Sequence, residues 1–73
     1  MTRPGSEGFP DRLAACLHNV GISQAALARA AKTSHVNVLR WLRGEVEPKI
    51  SSVEKLAVVL KVRAGYLAYG EAI

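Results

Sequence analysis

The run SQAALARAAKTSHVNVLRWLRG, from Ser23 to Gly44, constrains the fold more than any other part of the chain. It holds two segments of helical apolar spacing, Leu27, Ala28 and Ala31 in the first and Val38, Trp41 and Leu42 in the second, with only Lys32 and Thr33 between the last apolar residue and Ser34. Ser23 and Ser34 each stand where a hydroxyl can accept from an orphan amide of the following turn. A break this short leaves no room for a strand or a long loop, so two helices must meet across a tight turn. The second starts at Ser34, spans 34–43 and stops at Gly44. It turns Val38 and Trp41 inward and leaves His35, Asn37, Arg40 and Arg43 on the other side.

The rest of the chain supplies elements of the same kind. Phe9, Leu13, Cys16, Leu17 and Val20 form one apolar stripe of a first helix, with Pro10 in its first turn and Gly21 at its end. The alanines of the second helix leave little bulk on its inner face, which allows a close crossing. Residues 45–49, with Pro48, read as a loop. Ser51 and Glu54 have capping-box spacing ahead of Val53, Leu56, Ala57 and Leu60, the stripe of a fourth helix. After Val62 a short last helix carries Tyr66, Leu67 and Tyr69 and stops at Gly70. No segment alternates as a strand does, so the expected fold is all-α, five short helices over residues 9–73, preceded by a flexible arm at 1–8 rich in Gly, Pro and Ser. Cys16 and Trp41 fall on inward positions and read as core; His18 reads as a solvated helix residue.

At 73 residues the chain is one domain, near the lower size limit for a core without staples. Its single cysteine can form no internal disulfide, and no zinc-ligand spacing accompanies it. No metal or cofactor is expected. No apolar run approaches the ~20 residues of a membrane span and the N-terminus lacks a signal-peptide core, so a soluble, cytoplasmic protein is expected. There is no phosphate-cradling Gly-rich loop and no acid–base constellation, which argues against an enzyme. The net charge of +4 is unevenly placed: residues 23–49 hold Arg29, Lys32, Arg40, Arg43 and Lys49 against Glu45 and Glu47, an excess of three. A basic stripe on the two central helices is the footprint of a protein that displaces counterions from nucleic-acid phosphates.

The phrases GISQAALA, RWLRG and KLAVVLKV followed by GYLAYG, together with Ser34 and Pro48, resemble the phage-repressor, Cro-like (XRE) helix-turn-helix family in a gapless register from Gly21 to Gly70. The resemblance implies a compact five-helix, lambda-repressor-like DNA-binding domain whose third helix reads the major groove of double-stranded DNA, usually as a symmetric dimer on a pseudo-palindromic operator. By position it implies base contacts from Ser34, His35, Val36 and Arg40 and phosphate contacts from Gln24, Asn37 and Arg43. The chemistry of these side chains agrees: Arg can pair with guanine, Val can pack on a thymine methyl, and amides can hold phosphate oxygens. Tyr66, Leu67, Tyr69 and Ile73 read either as core closure or as an apolar patch joining two protomers. The implied role is a small phage, prophage or bacterial transcriptional repressor, acting in the cytoplasm at the nucleoid. The alternative is a protein-interaction module, an antitoxin or antirepressor, on the same fold.

Three positions depart from the family pattern. Lys32 stands where Gly is common in the turn, so a left-handed backbone there carries ~1–2 kcal/mol of strain and a slightly rebuilt turn is expected. Ala26 removes the Glu or Gln that completes a capping box after Ser23. Leu17 and Leu42 replace an Arg and a Glu that many relatives pair between the first and third helices, so an apolar contact is expected in place of an ion pair.

Overall fold

The computed structural model describes residues 8–70, which form α1 (Phe9–Val20), α2 (Gln24–Ala30), α3 (His35–Arg43), α4 (Ile50–Leu60) and α5 (Ala64–Tyr69). All regular structure among the described residues is helical, and no helix among them is long and apolar enough to cross a membrane. Most of the expected N-terminal arm, residues 1–7, lies outside the described residues, as does Ile73. Gly8 is the N-cap of α1, and Pro10 sits in its first turn, where a missing N–H costs nothing.

The local signals act as their chemistry requires at α2 and α3. Ser23 accepts from the Ala26 amide at 3.0 Å and Ser34 from the Asn37 amide at 3.1 Å, so each helix gains a satisfied orphan donor. Gly21, Gly44 and Gly70 end α1, α3 and α5 in the left-handed conformation. At α4 the expected capping box does not form. The helix begins at Ile50 with extended Lys49 as N-cap and no side-chain cap, which puts Ser51 inside the first turn.

Two lysines adopt the left-handed backbone that glycine ordinarily takes. Lys32, at φ 59°, takes the left-handed backbone itself in the turn between α2 and α3, and the Thr33 amide donates to the Ala28 carbonyl at 2.9 Å. Lys61, at φ 61°, ends α4 in the same way, with the Val62 amide on the Ala57 carbonyl at 3.0 Å. Tertiary packing and satisfied helix-end carbonyls hold both against a strain of ~1–2 kcal/mol each.

The core joins all five helices. Leu13, Leu27, Val38, Leu56, Leu60 and Leu67 are essentially fully buried, and Cys16, Leu17, Ala28, Ala31, Trp41, Val53 and Ala57 complete it. The alanines let α2 approach α3 closely, and α3 in turn packs on α1. The α1 stripe is shorter than its spacing implies: Val20, beside the Gly21 turn, is 43% exposed. Leu67 belongs to the core, so it is unavailable to a patch between protomers, while Tyr66 is half-buried and Tyr69 is 69% exposed.

Arg12 ties the two ends of the domain together. Its Nε donates to the Leu67 carbonyl at 3.0 Å and its Nη2 to the Ala68 carbonyl at 2.8 Å. A guanidinium on the carbonyl end of α5 satisfies acceptors the helix cannot and opposes its dipole.

Candidate nucleic-acid interface

α3 has nine residues, so its axis is roughly 14 Å long, enough to lie along a groove about 12 Å wide. Val38 and Trp41 anchor one face in the core with Leu42 half-buried beside them. Val36, Arg40 and Arg43 follow at i, i+4 and i+7 and form one exposed row on the opposite face. Val36 is 55% exposed, an apolar side chain offered to solvent in the middle of a polar surface. The burial of Trp41 and the exposure of this row have one cause: the 3.6-residue period fixes which side turns out once the core side is chosen.

The N-terminal turn of α3 concentrates the remaining candidates. Ser34, His35 and Asn37 are all exposed there. The Ser34 hydroxyl accepts from the Asn37 amide. The Asn37 side chain reaches back, Nδ2 donating to Thr33 Oγ1 at 3.0 Å, which stiffens the turn that sets the angle between α2 and α3. Gln24, first residue of α2, is half-buried, and its Oε1 lies 3.3 Å from His35 Nε2. The structure thus brings Gln24, Ser34, His35, Val36 and Asn37 together at one end of α3 and spaces Arg40 and Arg43 along it.

The electrostatics favour an anionic partner. Arg40 and Arg43 lie in the exposed row, with Lys32 in the turn before it. Arg43 approaches Glu45 at 3.8 Å, but both side chains are more than half exposed, so the pair is weak and open to exchange with a phosphate. Leu17 and Leu42 line one shallow hollow between α1 and α3, together with His18, Gln24 and His35. Cys16 is 5% exposed; burial pushes its thiol above the usual range, partly opposed by the charge of Arg12. It is a core residue.

Three features escaped the sequence reading. The Gln24–His35 contact joins residues from different helices, and only the crossing geometry reveals it. Arg12 looks like any solvated helix arginine in sequence. A groove lined by Phe9, Val46, Glu47, Ile50 and Tyr69 opens between the start of α1, the α3–α4 loop and α5; Val46 and Ile50 lie in or next to a segment that reads only as a loop.

The comparisons agree with this geometry. The sequence pattern described as helix-turn-helix matches residues 13–67. HTH-type transcriptional regulator DicA of Escherichia coli (strain K12) is 36% identical over 53 residues, 73% of this chain and 39% of that protein. The chain therefore spans about two fifths of the length of this relative. Among solved structures, the crystal structure of the P22 c2 repressor in complex with a synthetic operator superposes with a TM-score of 0.82 at 30% identity, covering 88% of this chain and 97% of that one. The solution structure of the P22 c2 repressor DNA-binding domain gives a TM-score of 0.80 at 29% identity, covering 85% and 82%. With the tight turn, the capped third helix and the five-helix core all in place, the chain belongs to the phage-repressor-like (XRE) helix-turn-helix family.

Proposed function

We propose that the chain is a sequence-specific double-stranded-DNA-binding transcriptional regulator, a repressor of phage or bacterial type, that reads an operator with α3. The observation that carries this reading is the exposed row of Val36, Arg40 and Arg43 on a helix whose other face is locked into the core. Ser34, His35, Val36 and Arg40 face base edges, and Gln24, Asn37 and Arg43 hold phosphates. The likeness to a repressor bound to its operator supports the same docking. Residues 9–73 act as the reading domain, the protein works in the cytoplasm at the nucleoid, and it is not an enzyme.

A homodimer on a pseudo-palindrome completes the reading. One helix of this size contacts too few base pairs for useful specificity, and two-fold pairing places two such helices one duplex turn apart, ~34–36 Å. Tyr69, with Tyr66 beside it, supplies apolar surface for the pairing, continuous with the groove lined by Val46 and Ile50. Ile73 extends the same end of the chain.

The test is selection from random duplexes, followed by a salt titration and mass measurement on the enriched site. Binding falls steeply with log salt for a phosphate-contacting domain. A palindromic consensus occupied by two protomers is the expected result. No enrichment, or binding insensitive to salt, overturns the proposal in favour of a protein-interaction module.

A further inference from the structure

We infer that Lys32 and Lys55, with the hydroxyls of Thr33 and Ser52, form a second anchor for the duplex: a cleft between the α2–α3 turn and α4 that takes one phosphate of the DNA backbone. This rests on the DNA-reading proposal and adds to it a contact that Gln24, Asn37 and Arg43 do not supply, centred on a lysine that stands where the family commonly has glycine.

Lys32 and Thr33 line the cleft from the turn, and Ser52 and Lys55 line it from α4. Ser52 and Lys55 are three residues apart and so share one face of that helix. Ala31, Trp41 and Leu56 also line it and are buried, which gives it an apolar floor. No Asp or Glu lines the cleft, and neither lysine makes a hydrogen bond or ion pair among the described residues. Two cations over low-dielectric walls, with no carboxylate beside them, concentrate a positive potential. The hydroxyls add donors. Thr33 Oγ1 accepts from Asn37 Nδ2 at 3.0 Å, which holds the side chain and leaves its own proton for an acceptor.

Size selects the occupant. At about 60 Å³ the cleft has room for about two waters or the outer oxygens of one phosphate group, far below the few hundred Å³ that a nucleotide-sized effector fills. A phosphate carried on a polymer fits that limit, and the place of the cleft in the chain points to DNA: Lys32 and Thr33 run directly into Ser34, the N-cap of α3. The left-handed backbone of Lys32 is not itself a sign of function, since Lys61 shares it and does not line the cleft. What sets Lys32 apart is the cleft.

The experiment scans the enriched duplex, replacing one backbone phosphate at a time by a neutral methylphosphonate, against the full chain and its variants. Lys32→Gly removes the ammonium and relieves the backbone, so Tm is expected to rise by a few degrees while DNA affinity falls; a merely structural lysine would not split the two readouts. Lys55→Gln removes the second ammonium at an exposed helical position. Each variant is expected to bind about 3- to 10-fold more weakly at about 50 mM salt, by the same factor on matched and mismatched duplexes. The double variant should lower the salt slope by about 0.9, the share of one phosphate, rather than twice that. One linkage per half-site should weaken the parent when neutralised and have no effect on the double variant. Lys61→Gln should leave the linkage pattern as in the parent. No linkage masked by the double variant, or two separate linkages, one for each lysine, overturns the shared cleft and leaves the DNA-reading proposal standing. Unchanged DNA binding by both variants, with magnetic resonance shifts at Lys32 and Lys55 on adding inorganic phosphate, assigns the cleft to a free anion and likewise overturns it. No enriched duplex overturns both.

Discussion

Changing Gly21 to Ala and Lys61 to Gly perturbs the same backbone conformation in opposite directions, and the structure gives a magnitude for each. At Gly21, φ is +77° and an added Cβ meets nothing within 4 Å, so Gly21→Ala incurs backbone strain alone. That strain is ~1–2 kcal/mol, offset by ~0.4–1 kcal/mol from stiffening the unfolded chain, for a net loss of about 1 kcal/mol. Lys61 lies at φ 61°, so Lys61→Gly recovers about the same amount. It also removes a cation from the C-terminal end of α4, a loss of ~0.3–1 kcal/mol at low salt that screening erases. The gain from Lys61→Gly is therefore expected to be small at low ionic strength and to approach ~1 kcal/mol at high salt. Gly70→Ala is the third member: φ is +73° and its Cβ would lie 3.0 Å from Arg12 Nη1, so it disturbs the guanidinium as well as the backbone. Its cost is expected near 2–3 kcal/mol, the strain plus part of one hydrogen bond to a charged donor. Thermal and urea unfolding measure all three; for a domain this small 1 kcal/mol shifts Tm by about 4–8 °C. A Gly21→Ala protein as stable as the parent, or a Lys61→Gly protein less stable at high salt, would refute the backbone argument. Equal losses at Gly21 and Gly70 would refute the role given to Arg12.

Further outcomes follow from other contacts. Leu42→Glu is expected to destabilise by ~1–3 kcal/mol in urea unfolding, because the carboxylate enters the hollow beside Leu17. Adding Leu17→Arg should recover at least ~0.5 kcal/mol of the summed losses, and strict additivity would mean the two positions do not meet. Because burial raises the Cys16 thiol, the folded state holds its proton longer than the unfolded one. Stability should therefore decline as pH climbs above about 8.5, and Cys16→Ala should flatten that decline in denaturant titrations at successive pH values. On DNA, Arg40→Ala should weaken the matched duplex by ~1–3 kcal/mol and relax one base pair, whereas Arg43→Ala should lower the salt slope by ~1. Gln24→Ala should leave that slope nearly unchanged, since no charge is removed; equal losses for Arg40→Ala on matched and mismatched duplexes would deny it a reading role.

The parts legible in the sequence were those governed by local rules. The serine caps, the terminal glycines and the inward positions of α2, α3 and α4 follow from hydroxyl reach, positive φ and the 3.6-residue period, each acting within one or two turns. What local rules could not supply depended on where distant segments meet. The Ser51 capping box lost to an earlier helix start at Lys49, where Pro48 already precedes an extended residue. The left-handed backbone at Lys32 was signalled only by the family position it occupies, and Lys61 shows no sequence sign of one, because lysine itself carries no preference for positive φ. Leu67 and Tyr69 stand two residues apart on one short helix, yet one is buried and the other exposed; apolar character alone does not distinguish them. For the candidate interface, the side chains were readable from position, but the Gln24–His35 contact required the crossing of α2 and α3.

The Arg12 tie also makes the domain close to a ring. Phe9 and Pro10 at the start of α1 share a groove with Ala68 and Tyr69 at the end of α5, and Arg12 is bonded to carbonyls 55 and 56 residues further along. The entry and exit of the fold are therefore neighbours in space. A short flexible linker can join them, with new termini opened in the exposed stretch at residues 45–47 between α3 and α4. Such a circular permutant keeps α2, the turn and α3 contiguous and moves the chain ends beside the C-terminal end of α3. Protein modules attached at the native ends and at the permuted ends would then lie on different sides of the domain, so the order of the chain can be altered independently of the surface proposed to read DNA.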